Sequence, residues 1–135
     1  MHTIHLTLLF AGLCALLQCM LTALVIVRRV QTGISLMDGG DKALLHRIRA
    51  HGNFSENVPI SLFLMALLEL SGLGAAWILT LGSGLLTGRV LHAYGLIVND
   101  AQAKPFSIRL SGIVLTLMVL STEAALCIWL FFIKN

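Results

Sequence analysis

From Ile4 to Val27 the chain runs roughly 24 residues without an aspartate, glutamate, lysine or arginine. As a helix, that stretch covers about 36 Å, enough to cross a ~30 Å hydrocarbon core. A helix that is apolar all round has to be covered by protein or by lipid. A chain of 135 residues has room for one domain and offers little protein to cover it with. With 58% hydrophobic residues, 11% charged and a mean hydropathy of +0.94, the rest of the sequence points the same way, to a membrane protein. No basic segment precedes this stretch, it is too long for a signal-peptide core, and no A-x-A site follows it. It is expected to be a retained transmembrane helix.

The fold class expected is all-α, an integral-membrane four-helix bundle in the lipid bilayer. The helices are predicted at about 4–27, 42–70, 75–98 and 108–132, forming one domain over residues 1–135. Arg28-Arg29 close the first, which carries Gln18 as its one strongly polar central residue. The stretch from Gln31 to Lys42 reads as the main loop, with Asp38-Gly39-Gly40 as a turn and Asp41 as the N-cap of the second helix. Pro59 lies inside that helix, where it removes a backbone hydrogen bond and favours a kink. Glu69 falls near the helix's far end and is read as a surface residue without a chemical role. Ser71-Gly72-Leu73-Gly74 is a tight turn. The third helix carries Gly84, Gly88, His92 and Gly95 as one stripe, and Gly84-x-x-x-Gly88 is a spacing that lets membrane helices approach closely. A second loop, Asn99 to Ser107, holds Asp100, Lys104 and Pro105. The fourth helix opens with Arg109 and carries Glu123 toward its far side.

One stretch breaks the apolar pattern. Arg47-Ile48-Arg49-Ala50-His51-Gly52-Asn53-Phe54-Ser55-Glu56-Asn57-Val58-Pro59 leads into the uncharged run from Ile60 to Leu68. On a helix, Arg49, Asn53 and Glu56 fall within about 60° of one another. Charge at membrane depth costs at least a few kcal/mol, so such a face marks a site. Arg89 and His92 lie toward the same end of the third helix, and Arg109 begins the fourth there. Several arginines favour a carboxylate or phosphate ligand, Glu56 suits an ammonium, and Asn53 and His92 add neutral hydrogen bonds. A small zwitterionic or peptide-like anion fits this set.

Other classes fit less well. The formal charge of +3 and pI near 9.1 come from short interhelical segments, with no aromatic-interleaved basic run, so nucleic acid is not expected as a partner. No phosphate-binding glycine loop and no nucleophile motif occurs. No metal is expected either: His46, His51 and His92 with Glu56 lack a ligand spacing, and Cys14, Cys19 and Cys127 sit alone in apolar segments. Arg28, Arg29, Lys42, Arg47, Arg49, Lys104 and Arg109 gather on one side, against Lys134 on the other. The charged loops are therefore expected in the cytoplasm and both termini outside it.

Arg49-Ala50-His51-Gly52-Asn53-Phe54-Ser55-Glu56-Asn57-Val58-Pro59 resembles the RAxxNxxExxP signature of the MAPEG family, the membrane-associated proteins in eicosanoid and glutathione metabolism. The resemblance extends to four helices of similar length, an Arg-Arg ending the first and an arginine on the third. The short length and Gly88-Arg89-Val90-Leu91-His92-Ala93-Tyr94-Gly95 are most similar to the small bacterial inner-membrane branch. The resemblance implies a homotrimer with glutathione, as co-substrate, in cytoplasm-facing clefts between subunits. It implies that Arg49 holds a glutathione carboxylate, Asn53 touches the backbone or thiol region, and Glu56 takes the γ-glutamyl ammonium. Arg28 or Arg29 matches the arginines ending the family's first helix, and Arg89 and His92 complete the ligand-binding set. Arg109 resembles the fourth-helix arginine proposed to stabilise the thiolate, as a cation beside a thiol does.

The chain departs from the family's eicosanoid enzymes where Asn57, His92 and Leu96 stand in place of tyrosines. The function expected is glutathione transferase- or peroxidase-like, toward an apolar small molecule entering from the lipid. The alternatives are a non-catalytic binding protein with the same fold and a small transporter or channel subunit.

Overall fold

The computed structural model describes residues 3–98 and 108–134, and in them the chain is all helix and turn. The helices are α1 (His5–Thr32), α2 (Lys42–Leu70), α3 (Ala75–Ile97) and α4 (Ile108–Lys134). The expected second loop, with Asp100, Lys104 and Pro105, lies outside the described residues.

α1 is longer than the sequence pattern suggests. Arg28 and Arg29 do not end it, and it continues to Thr32, stopping where Gly33 takes up a left-handed conformation at φ 68°. That conformation suits glycine and closes helices. Both arginines then organise the loop they lead into. Arg28 donates to both carboxylate oxygens of Asp41, at 3.1 and 2.6 Å. Arg29 donates to the carbonyls of Ile34 and Met37. Asp41 caps α2 as expected, with its Oδ1 accepting from the Leu44 amide at 2.6 Å. α2 runs unbroken through Pro59. It ends on a turn in which the Leu73 and Gly72 amides reach back to the carbonyls of Leu68 and Glu69, with Gly72 at φ 84°.

α1 packs on α2 and α3, and α4 packs on α2 and α3 from elsewhere on the bundle. Among the described residues α1 and α4 do not touch. α2 and α3 are therefore the inner pair. Phe10, Cys14 and Leu21 of α1 meet Phe54, Val58, Met65, Leu81, Leu85 and Val119 in one continuous core. The glycine stripe of α3 faces α4. A Cβ on Gly112 would lie 2.5 Å from the His92 amide nitrogen, and one on Gly88 2.7 Å from Thr116 Oγ1. Any side chain at either position would force the two helices apart.

α1 and α4 are long and apolar enough to cross a membrane, and only 17% of each apolar window is buried. Their outward faces carry Leu16, Met20, Val30, Trp129, Phe131 and Phe132, all exposed. A bundle that turns these faces outward needs lipid around it. The polar residues of α2 and α3 lower the hydropathy of the inner pair.

Candidate functional site

The polar residues of α2 sort by which neighbour each helix face meets. His51 and Ser55 look toward α1, where Gln18 Nε2 lies 2.9 Å from His51 Nε2 and donates to Ser55 Oγ at 2.9 Å. Arg47 also turns to α1 and donates to the Leu24 carbonyl at 2.9 Å. Arg49, Asn53 and Glu56 look the other way, toward α3 and α4. They line a cleft of about 530 Å³ together with His46, Gly52, His92, Leu96, Arg109 and Ile113.

Five of the eight residues expected from sequence therefore share one cleft: Arg49, Asn53, Glu56, His92 and Arg109. Arg28 and Arg29 do not line it: Arg28 is held by Asp41, and Arg29 by the carbonyls of Ile34 and Met37. Arg89 lies behind the wall, 2% exposed. Its Nε and Nη2 donate to Thr116 Oγ1 at 2.9 and 2.6 Å, and its Nη1 donates to the Asn53 carbonyl at 3.3 Å. Nη1 also donates to the side-chain oxygen of Asn53.

That last contact fixes the chemistry of Asn53. A guanidinium has donors and no acceptor, so the Asn53 amide must turn its oxygen to Arg89. Its NH2 is left on the cleft side as a donor. Arg89 thus acts on the cleft through Asn53 and joins α2, α3 and α4 at one point. Thr116, its partner on α4, is a residue that the sequence reading passes over. Arg109, Gly112, Thr116, Val119 and Glu123 recur at the helical period, which identifies them as one inward face.

The cleft's charge balance favours an anion with one cationic group. Arg49 and Arg109 stand at its edge with Glu56, and Arg89 adds a positive charge from behind. Arg49, Glu56 and Arg109 have no hydrogen bond or ion pair among the described residues. Asn57, next to Glu56, turns its amide back to the Asn53 carbonyl at 2.8 Å.

Two carboxylates that sequence order places at the far end prove to be structural. Glu69 accepts from the Leu6 and Thr7 amides at 2.9 and 2.8 Å, capping the start of α1, whose own N-cap residue Ile4 offers no side-chain bond. Glu123 is fully buried against Ser61.

Comparison with known proteins identifies the family. Inner membrane protein YecN of Escherichia coli strain K12 is 38% identical over 87 residues, covering 64% of this chain and 66% of that protein. The YecN of a second Escherichia coli strain, O6:H1, matches to the same extent. The aligned part thus spans about two thirds of the length of these curated relatives. The sequence pattern of the MAPEG family matches residues 7–133, which takes in all four helices and every residue of the cleft, and the chain belongs to that family.

Proposed function

We propose that the cleft binds glutathione and that the chain is a membrane-embedded glutathione transferase or peroxidase acting on apolar electrophiles. The observation that carries this is the meeting of Arg49, Asn53, Glu56, His92 and Arg109 in one cleft, with Arg49, Glu56 and Arg109 left without partners among the described residues. Glutathione has two carboxylates, one ammonium and a thiol. Arg49 and its neighbours suit a carboxylate, Glu56 suits the ammonium, and the Asn53 amide donates to a carbonyl or a thiolate. Arg109 at the edge would favour the thiolate over the thiol, and the thiolate is the nucleophile. Its sulfur would bond to an electrophilic carbon as the leaving group departs with the bonding pair, or to a peroxide oxygen as the O–O bond breaks and the alkoxide takes up a proton to leave as the alcohol, a second glutathione then reducing the sulfenic acid to the disulfide and water. The electrophile would reach it along lipid-facing helix surfaces.

Assembly as a homotrimer in a bacterial inner membrane, with charged loops in the cytoplasm and both termini outside it, belongs to the same proposal. In that assembly Arg28 and Arg29 would reach a ligand held by a neighbouring subunit.

Titration of the detergent-solubilised protein with glutathione tests the proposal. Glu56→Gln keeps shape and fold but removes one member of a desolvated charge pair, which typically costs about 2–5 kcal/mol. Binding should weaken at least about thirtyfold. Equal affinity in both proteins would refute the assignment. The Asn57 amide, held to its own helix, favours a second reading in which the cleft binds without turnover. Glutathione binding with no consumption across a panel of electrophiles and hydroperoxides would select it.

A further inference from the structure

Glu123 takes no part in the cleft, yet among the described residues it is an ionisable group with no exposed surface. It lies close to the middle of the Ile108–Ile133 span. Its side-chain hydrogen-bond partner is Ser61 of α2, whose hydroxyl oxygen lies 2.9 Å from Oε1 and 2.7 Å from Oε2.

Among the described residues the neighbouring elements offer no counter-charge. On α4 the nearest titratable residue is Cys127, one turn on, and Thr116, two turns back, is taken by Arg89. On α2, Ser61 is followed by apolar Met65, and Glu69 beyond it is bound to the start of α1. On α3 the charged residue is Arg89, held by Thr116 and Asn53, while His92 lines the cleft. α1 does not reach α4 among the described residues.

Counting hydrogens decides between the two forms of the carboxyl. A serine hydroxyl has one hydrogen to give. If Glu123 were a carboxylate, Ser61 could satisfy one oxygen and would leave the other bare, with a full negative charge in a dry interior. That is among the costliest arrangements a protein can hold. If Glu123 carries a proton, its O–H donates to Ser61 Oγ and the Ser61 O–H donates back to the other carboxyl oxygen. Both contacts are then used, each group is satisfied, and no charge is buried. A hydroxyl 2.9 and 2.7 Å from the two oxygens fits this ring of two bonds, and the absence of a counter-charge among the described residues favours it over one hydrogen shared by a carboxylate.

We infer that Glu123 is a proton-binding site, and that the neutral Glu123–Ser61 pair latches α4 to α2 below the cleft. Ser61 follows Glu56 by five residues on α2, and Glu123 lies on α4, which carries Arg109 in its first turn. The latch therefore joins the two helices that carry opposite walls of the site. It stands independently of what the cleft binds.

Infrared spectroscopy of the whole protein in detergent at neutral pH tests it. The wild type should show the C=O stretch of a protonated carboxyl, and Glu123→Gln should lose it while keeping the wild-type melting temperature. The glutamine amide can form the same reciprocal pair with Ser61. Ser61→Ala should keep the band and shift it upward in frequency, because the carbonyl loses its donor. A wild-type spectrum lacking the band, an unshifted band in Ser61→Ala, or collapse of Glu123→Gln would each overturn the inference.

Discussion

The α1 side of the bundle and the cleft treat charge in opposite ways. At the start of α1, Glu69 has both oxygens on backbone amides. At its other end, Arg28 and Asp41 form a bidentate pair. Around the cleft, Arg49, Glu56 and Arg109 stand together in about 530 Å³ of open space and bond to nothing among the described residues. Folding had partners to offer these groups. Arg49 and Glu56 lie on one helix face, yet they do not pair with each other. Polar groups that hold a membrane bundle together are paired, and those that leave a fold incomplete mark where a ligand goes. Arg89 stands between the two cases. It is wholly engaged in structure, yet it sets how Asn53 presents itself to the cleft.

Arg89 is therefore where the contrast can be broken most severely. Arg89→Ala removes the tie between α2, α3 and α4, strands the Asn53 side-chain oxygen and opens a cavity. Arg89 Nη2 also donates to the Gly112 carbonyl at 3.4 Å, and that carbonyl keeps a donor in Thr116 at 2.9 Å, which limits the damage. A loss of at least about 3 kcal/mol is expected, measured as a fall in the detergent melting temperature. If Arg89 were a ligand contact only, the variant would melt like the wild type and lose binding alone.

Asn53→Asp separates structure from ligand more finely. The new carboxylate still accepts from Arg89, now as an ion pair, so the melting temperature should hold or rise. It has no hydrogen to give the cleft. If glutathione meets the Asn53 NH2, affinity should fall by about 1–3 kcal/mol, roughly five- to 150-fold. Unchanged affinity would show that the ligand does not use this group.

How far the site is legible in the sequence turns on the same distinction. The face shared by Arg49, Asn53 and Glu56 can be read from helical spacing alone, since it depends on one helix. That α3 packs its glycine stripe on a neighbour is also visible, although not that the neighbour is α4 through Gly112. The split of the signature stretch between two neighbours, His51 and Ser55 to α1 and Arg49, Asn53 and Glu56 to the cleft, depends on helix order around the bundle. Periodicity within one helix carries no record of that order. The same limit hides the role of Glu69. Nothing local marks it as the cap of α1, because its partners lie more than 60 residues away. The sequence pattern ends α1 too early because Arg28-Arg29 mark where charge begins, whereas Gly33 is where the backbone turns.

Glu69→Gln breaks the start of α1 alone. The amide can accept one of the two α1 backbone hydrogens but presents its NH2 to the other, and the negative charge at the helix start is gone. A cost of about 1 kcal/mol is expected. Glutathione affinity should stay as in the wild type, since the change is at the opposite end from the cleft. Loss of binding in this variant would mean that α1 seating and cleft geometry are coupled.

The smallest effect is expected at Asp41, and its sign depends on pH. The Arg28 guanidinium and then the Leu44 amide, both donating to the carboxylate, hold Asp41 below the usual aspartate range. A carboxyl whose value is depressed in the folded state adds stability that is fully present above the unfolded value, near 3.9. That stability disappears as pH falls through the lower folded value. Asp41→Asn keeps the cap, because asparagine accepts the Leu44 amide as well as aspartate does. It removes only the ion pair with Arg28. The wild type should therefore melt slightly above Asp41→Asn at neutral pH. The two melting curves should converge in acid, below the folded value of Asp41, and the gap at neutral pH should narrow with added salt. A gap that survives acid and salt would assign the contribution to the cap rather than to the pair.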